Sequence, residues 1–254
     1  MTTDTSWKNV GGWYKEIVGE EGHFYHREVV LPNLLRLMKL DNKSKVLDLG
    51  CGQGVLARAL PPEIYYWGAD MAPNLIEEAK RLDKNPRHVF GVADATKTIP
   101  IVETGFSHIT VVLALQNLES PFKLMRNVDK LMAKDGRFFI VLNHPAFRIP
   151  KNSDWEVDEN KTVQYRKESK YMSPLKIAIE SSPFDKKNNQ ISMSYHYPIS
   201  AYSEMLHDNG MVIEVIEEWV SPKKSQGPMA KIEDVARREF PLFMCIVARK
   251  VQSG

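Results

Sequence analysis

The sequence predicts an α/β domain with a doubly wound, mostly parallel sheet of seven strands and helices on both faces. Three observations support this fold class. Short apolar runs alternate with helical periodicity from residue 27 onward, a glycine-rich loop follows the first run, and the alternation breaks only after residue 143. Strands that alternate with helices form a parallel sheet covered on both faces, with right-handed crossovers. We therefore predict a single domain over residues 1–254.

The strand predictions rest on short apolar runs bounded by turn residues. Such runs are nearly continuous rather than alternating when both faces of the sheet are buried. The seven predicted strands cover residues 45–50, 64–70, 88–94, 108–115, 137–143, 211–220 and 243–250.

The helix predictions rest on apolar spacing and on residues that start or stop helices. The predicted helices cover residues 28–40, 54–60, 73–82, 120–136 and 200–210. Val30, Leu34 and Leu37 show the helical spacing in the first of these. Pro61 ends the second because proline has no amide hydrogen to donate, whereas Pro73 suits the first turn of the third.

The last two predicted helices each begin at a serine and end at a glycine. Ser120 and Gly136 bound one of them, and Ser200 and Gly210 bound the other. Serine caps the first free amides of a helix, and glycine adopts the left-handed conformation that often ends one. On the earlier helix, Met132 is predicted to complete an apolar face.

Residues 144–195 interrupt the alternation with polar, proline-punctuated sequence. We predict an insertion between the fifth strand and the following helix, lying as a lid over the carboxyl edge of the sheet. Within it, residues 162–171 and 190–197 alternate locally and are predicted to pair as an antiparallel ribbon. Residues 1–28 are predicted to form a second, N-terminal lid region.

Composition narrows the classes of partner and compartment. A net charge of +2 and a pI near 8.4 give no reason to predict nucleic acid or a membrane surface as a partner. Cys51 and Cys245 cannot form a disulfide framework and lack metal-ligand spacing, so a reducing cytoplasm and no metal are predicted. No signal peptide or transmembrane run is apparent, and no pattern sets an oligomeric state.

The stretch KVLDLGCGQGVLARAL, residues 45–60, places Gly50, Gly52 and Gly54 directly after the first strand. Ligands of doubly wound sheets bind at this point, and glycines let the backbone approach them closely. A dinucleotide site usually reads G-x-G-x-x-G/A, but Val55 occupies the last of those positions. With Asp48 two residues before the first glycine, the loop resembles motif I of class I S-adenosylmethionine-dependent methyltransferases.

The resemblance continues at the ends of the next strands and covers about residues 29–143 and 199–250. It implies that Asp48 helps to hold the loop and the methionine end of the cofactor. It further implies that Asp70 accepts the ribose hydroxyls, Met71 packs on the adenine, and Asp94 accepts the adenine amino group. S-adenosylmethionine is thereby predicted as the cofactor. The loop and strand-end residues assigned to it are Asp48, Gly50, Cys51, Gly52, Gly54, Asp70, Met71, Asp94, Ala95 and Leu115.

The N-terminal piece WYKEIVGEEGHFYHREVVLP, which begins at Trp13, is similar to the entry segment of small-molecule methyltransferases of the ubiquinone-biosynthesis type. The resemblance implies that its aromatic residues close over the pocket. Tyr14 and Tyr25 are assigned to the cofactor, and Trp13 and His26 to the substrate. Aromatic packing against the sheet is the alternative, and it is left open.

Methyl transfer from a sulfonium is an in-line displacement, so the protein mainly aligns the reactants, and a base removes a proton from the acceptor. His144 follows the fifth strand and is predicted as that base; His196 is the second candidate. The alternative is that His144 is a turn residue. Gln116 and Asn117 are predicted to orient the substrate, and Arg148 to meet an acidic one.

The predicted function is methyl transfer to a small-molecule acceptor. A protein or peptide methyltransferase and a non-catalytic S-adenosylmethionine-binding subunit are the alternatives. A nicotinamide-dependent oxidoreductase is disfavoured by Asp48 and Val55. The segment NHPAF, residues 143–147, resembles the motif of amino-methylating nucleic-acid enzymes only superficially, because that motif belongs after the fourth strand.

Overall fold

The structure is a computed structural model, and it describes residues 23–158, 160, 162–180 and 191–251. Eleven strands are found in this part of the chain. They are β1 Lys45–Leu49, β2 Tyr65–Asp70, β3 His88–Val92, β4 Phe106–Val112, β5 Met132–Asn143, β6 Ser153–Asp158, β7 Val163–Glu168, β8 Leu175–Glu180, β9 Ile191–His196, β10 Met211–Trp219 and β11 Phe243–Lys250. Seven of them form one sheet, which confirms the predicted fold class.

The helices alternate with the strands of the large sheet. They are α1 Leu31–Met38, α2 Val55–Ala59, α3 Pro73–Leu82, α4 Pro121–Leu131, α5 Ile199–His207 and α6 Ala230–Glu239. A π-helical turn, His26–Val30, precedes α1, and a short 3-10 turn, Leu115–Asn117, follows β4. The first helix was predicted as one piece; the π-helical turn separates from it where Pro32 has no amide hydrogen to donate.

The large sheet has the order β10-β11-β5-β4-β1-β2-β3. Its strands are parallel except β11, which runs antiparallel to both β10 and β5. The order reverses between β1 and β4, so the topological switch point lies beside the loop that follows β1. Ligands of doubly wound folds bind outside the carboxyl ends of the strands at this place.

Successive side chains of β5 enter two different cores. Phe138 and Ile140 are fully buried on one face of the sheet, and Phe139 and Val141 on the other. Side chains alternate across a strand, so an unbroken apolar run fills both layers at once. Helices therefore cover both faces and leave the strand ends as the place where a ligand can enter.

Several predicted boundaries were wrong; β4, for example, ends at Val112, three residues before its predicted end. α4 ends at Leu131, and Met132 begins β5 rather than completing the helix. Gly136 lies inside β5. A Cβ at this position would lie 2.8 Å from the carbonyl oxygen of Phe106 on the neighbouring strand, so the close approach of the two strands explains the glycine. Helix α5 begins at Ile199, one residue before the predicted cap Ser200. Helix α6 was not predicted.

The insertion forms two antiparallel ribbons, and the predicted pairing of residues 162–171 with residues 190–197 was wrong. Strand β7 pairs with β6, and β9 pairs with β8. In the first ribbon Asp158 is opposite Val163, so only a short connection has to be closed, which costs less chain entropy than a distant pairing. Strands β6 and β8 were not predicted, because polar residues are mixed with apolar ones in both, so the partners of β7 and β9 were missed.

Candidate active site

A crevice opens at the carboxyl ends of β1 to β4, at the switch point of the sheet. It encloses about 840 Å³ when the open solvent at its mouth is included. Eight of the residues predicted for ligand binding line it: His26, Gly50, Gly52, Asp70, Met71, Asp94, Ala95 and Asn117. This cofactor cavity, as we call it below, gathers residues that are up to 91 positions apart, from His26 to Asn117.

The glycine loop is shaped by three positive φ angles, +78° at Gly50, +54° at Gly52 and +74° at Gly54. Residues other than glycine rarely adopt such backbone angles. A Cβ on Gly50 would lie 2.5 Å from the Cβ of Ala114, so this glycine is also required by close packing. Gly54 packs against Phe90 and lies outside the lining of the cavity.

Asp48 is buried beneath the loop and does not line the cavity. Tyr66 donates its hydroxyl to Asp48 Oδ2 at 2.8 Å, and Thr110 donates to Oδ1 at 2.7 Å. Burial raises the pKa of Asp48 to about 6, although the two hydrogen bonds and their stabilisation of the charge oppose the shift. The acid thus ties β1 to β2 and β4 under the loop, and its predicted contact with the cofactor stays a prediction.

Asp70 ends β2 and lines the cavity with both oxygens engaged by backbone. Gly52 donates its amide to Oδ2 at 2.9 Å, and Ala72 donates to Oδ1 at 2.9 Å. Each carboxylate oxygen has two lone pairs, so one acceptor position per oxygen remains for a ligand hydroxyl. Burial raises the pKa of Asp70, although the hydrogen bonds from these amides oppose the shift. The residue couples the glycine loop to α3 and presents a carboxylate to the cavity.

Asp94 lies beyond β3 on the same cavity wall. Its Oδ1 accepts both the amide and the hydroxyl of Thr96, at 2.9 and 2.6 Å, while Lys97 lies 3.2 Å from Oδ2. Burial raises its pKa, but the Thr96 and Lys97 contacts outweigh this and hold the pKa below its usual range. Ala95 follows, with its carbonyl held by Asn127 at 2.7 Å.

Leu113 is a cavity residue that sequence reasoning missed. Its φ is +53°, an uncommon angle for a bulky residue, and its amide donates to the carbonyl of Val141 at 2.8 Å. Strained backbone of this kind persists where surrounding structure enforces it, often beside ligands. The sequence gives no indication of this strained backbone, because leucine normally avoids the conformation and so does not predict it.

Two other predicted cofactor residues have side chains that point into the core. Leu115 is 1% exposed and lies outside the cavity lining. The thiol of Cys51 is buried, its pKa is raised by that burial, and it contacts the carbonyl of Gly52 at 3.6 Å. If Cys51 contacts a cofactor, its backbone must make the contact.

The N-terminal aromatic residues divide between two places. Trp13 and Tyr14 lie outside the described residues. His26 lines the cofactor cavity, and its buried Nδ1 has no hydrogen-bond partner within the described ranges. Burial, and then the charge of His23, lowers the pKa of His26 to about 4. Tyr25 instead packs edge-on against Phe243, with ring centroids 5.8 Å apart.

Both ring nitrogens of His144 are engaged within the protein. Nδ1 accepts the amides of Ala146 and Phe147 at 3.2 and 3.3 Å, so Nε2 carries the proton and donates it to Glu218 at 2.6 Å. Burial lowers the pKa of His144, although Glu218 opposes the shift. This geometry is that of a turn residue, and the imidazole offers no nitrogen to a substrate without losing one of these bonds.

A second, smaller cleft lies beside the first; it measures about 300 Å³ when the solvent at its open mouth is included, and it is called the acceptor cavity below. It contains three of the predicted catalytic and substrate residues, Gln116, Arg148 and His196. His196 Nε2 lies 2.7 Å from the carbonyl of Tyr171, which can only accept, so Nδ1 is left as a hydrogen-bond acceptor. Burial lowers the pKa of His196, although the hydrogen bond to the Tyr171 carbonyl opposes the shift.

The turn Leu115–Asn117 stands between the two cavities. Asn117 lines the cofactor cavity, and its side-chain amide donates to the carbonyl of Leu113 at 3.3 Å. Its neighbour Gln116 lines the acceptor cavity and accepts the amide of Asn143 at 3.4 Å. Consecutive residues of one short turn therefore border both spaces.

A glycine loop at the switch point, followed by acids at the ends of the next two strands, defines a doubly wound domain that binds a nucleotide-like cofactor. Within the described part of the chain, no His, Cys, Asp or Glu cluster is arranged to hold a metal ion. No described helix has the length and apolar character to cross a bilayer.

Comparison with known proteins identifies the family. A family model described as a methyltransferase domain matches residues 22–213. The chain therefore belongs to that family, and the predicted membership of the class I S-adenosylmethionine-dependent methyltransferases is confirmed. A solved S-adenosylmethionine-dependent methyltransferase from Mesorhizobium loti has the same fold, with a TM-score of 0.68 and 21% identity over 88% of this chain and 99% of that one.

Two curated relatives match part of the chain. A demethylmenaquinone methyltransferase from Thermotoga maritima is 28% identical over 103 residues, which are 39% of this chain and 44% of that protein. An uncharacterized methyltransferase from Bacillus subtilis, YcgJ, is 26% identical over 145 residues, which are 56% of this chain and 55% of that protein. The chain thus spans about half the length of the curated relatives it matches.

Proposed function

We propose that this protein transfers a methyl group from S-adenosylmethionine to a small-molecule acceptor. The observation that carries the proposal is the adjacency of the cofactor and acceptor cavities across the turn Leu115–Asn117. Methyl transfer needs two bound molecules whose reacting atoms meet in line, and the two cavities provide a place for each. The Thermotoga relative is named a demethylmenaquinone methyltransferase, and a quinone acceptor agrees with a substrate that is neither protein nor nucleic acid.

The residues of the cofactor cavity fit S-adenosylmethionine. Asp70 retains acceptor positions for the ribose hydroxyls. Met71 and Leu75 supply apolar surface to the cavity, and Asp94 contributes a second carboxylate to its lining. When bound, the cofactor supplies a methyl group already activated on a sulfonium. The protein then has to orient the acceptor, exclude water and receive a proton.

His196 is the residue we propose as that proton acceptor, in preference to His144. Its Nδ1 is the unprotonated nitrogen, it belongs to the acceptor cavity, and burial keeps the ring neutral. His144 instead positions the turn after β5 through its bonds to Ala146 and Phe147. Gln116 and Asn117 remain proposed orienting groups for the acceptor and the methyl donor.

Labelling with S-adenosylmethionine that carries a radioactive methyl group tests this function. The purified protein is incubated with a cell extract separated by filtration into metabolites and macromolecules. We expect label in the metabolite fraction, and less label there at limiting S-adenosylmethionine with Asp70→Asn, which weakens the cofactor site. Label confined to protein would indicate a peptide substrate instead, and calorimetric binding of NAD without S-adenosylmethionine would reject the methyltransferase assignment.

A further inference from the structure

Arg148 is the cation that lines the acceptor cavity, and within the described ranges its side chain has no hydrogen-bond or ion-pair partner. The backbone around it is fixed, since its amide donates to the carbonyl of His144 at 2.9 Å and the next side chain, Ile149, is 1% exposed. The guanidinium is exposed to solvent at the edge of the cavity, and no protein group among the described residues takes its donors.

The neighbouring arginine differs in this respect. Arg166 donates to the carbonyl of Phe147 at 2.6 Å, stacks over Trp155 at 4.7 Å and lies 3.5 Å from Glu168. Its contacts are thus supplied by the protein, and its charge adds to the positive field at Arg148. Consistent with this, burial first and then the charge of Arg166 lower the pKa of Arg148.

Tyr25 connects this pair to a third cation. Its phenol is near enough to Arg148 to interact with the guanidinium electrostatically. The ammonium of Lys223 lies over the Tyr25 ring, 4.9 Å from its centroid, and over the Phe24 ring at 4.8 Å. Arg166 and Lys223 thus add positive charge near Arg148, and the carboxylate of Glu168 lies beside Arg166.

We propose that the methyl acceptor carries a carboxylate and that Arg148 binds it in the acceptor cavity, an inference that rests on the proposed function. A guanidinium matches a carboxylate with two parallel hydrogen bonds, and one unpaired cation suits a single negative charge. Gln116 and His196 line the same small space. A carboxylate held at Arg148 would orient the rest of the acceptor toward them and toward the turn at Asn117.

The test uses metabolite extract separated on an anion exchanger at pH 8, with labelled S-adenosylmethionine as methyl donor. We expect label in the retained, anionic fraction. Treating that fraction with a carbodiimide and methylamine, which amidates carboxylates, should abolish labelling, whereas phosphatase treatment should leave it unchanged. Loss of labelling after phosphatase alone would overturn the carboxylate in favour of a phosphate.

Arg148→Gln is compared with Lys151→Gln, which removes the same charge from a nearby exposed residue that does not line the cavity. Arg148→Gln should reduce labelling of the retained fraction by about tenfold or more, with calorimetric affinity for S-adenosylmethionine unchanged. Equal labelling by both variants would overturn the role of Arg148. Label only in the unretained fraction would overturn the inference and leave the proposed function intact. Absence of label from both fractions would overturn the proposed function, and the inference with it.

Discussion

The cofactor cavity and the acceptor cavity are adjacent, but they are constructed differently. The first is formed by the ends of four parallel strands, and its acids are held by backbone amides only two to eighteen positions away. The second is formed mainly by the insertion, where the segment after β5, the end of strand β9 and the turn after β4 meet. Under the proposed function, cofactor recognition is therefore built into the sheet, whereas acceptor recognition depends on loops that can vary without altering the sheet.

The largest effect is expected from Gly50→Ala, which attacks the cofactor cavity. The new Cβ would lie 2.5 Å from Ala114 at a φ of +78°, so the loop has to move. We expect cofactor binding to fall below detection in calorimetry and the melting temperature to drop. Gly210→Ala is the control, because its φ of +67° gives comparable strain but no atom lies within 4 Å. Equal binding by the Gly50 variant would mean that the loop does not contact the cofactor.

His196→Gln tests the acceptor cavity. Loss of a general base lowers turnover by about 100-fold or more, and the cofactor affinity should stay unchanged. Because burial lowers the pKa of His196, the wild-type rate should fall on acidification only below its ordinary value of 6.5, and the variant should lack this step. His144→Gln is the matched control: it should lower the melting temperature and keep the step. The opposite result would restore His144 as the base.

Asp70→Asn tests the cofactor cavity alone, because it removes one charge there and changes no residue of the acceptor cavity. Hydrogen bonds to a charged group contribute roughly 1.5–3 kcal/mol, so we expect a cofactor affinity at least about tenfold weaker. Calorimetry measures this change. Asp135→Asn, at the opposite edge of the sheet, serves as the control. An affinity that did not change would show that the ribose is held elsewhere.

The smallest effect concerns His26 and the pH dependence of stability. Its folded pKa of about 4 is below the ordinary value of 6.5, so the unfolded chain binds more protons between these values. Stability is thus lost as pH falls from 6.5 toward 4, by about 1–2 kcal/mol at pH 5. Denaturant unfolding at pH 7 and pH 5 should show a smaller loss for His26→Leu. His23→Gln should leave most of the loss in place, because burial is the main cause.

The prediction succeeded where neighbours in sequence decide the structure. The seven strands of the large sheet were all found, with shifted ends for β4 and β5, and the glycine loop and the acids at positions 70 and 94 lie at the predicted strand ends. Each depends on a short-range pattern, such as an apolar run, a positive φ that only glycine adopts readily, or a residue at the end of a strand. Such patterns survive folding because few distant contacts can override them.

The prediction was less informative where partners come from distant elements. Nothing near His144 in the sequence announces Glu218, which is 74 positions away and engages its Nε2. The same is true of Asp48, whose partners Tyr66 and Thr110 are 18 and 62 positions away. Gly136 has the residue type of a helix stop, but close approach of β4 and β5 explains it instead.

The sequence by itself determined the fold class, the position of the cofactor loop and the family, because these follow from periodicity and local backbone geometry. Only the tertiary structure decided which polar groups have partners. It shows His144 with both nitrogens engaged, and it leaves Arg148 without a partner among the described residues. The physical reason is that hydrogen bonds and ion pairs are contacts between elements, and their partners become known only when the chain is folded.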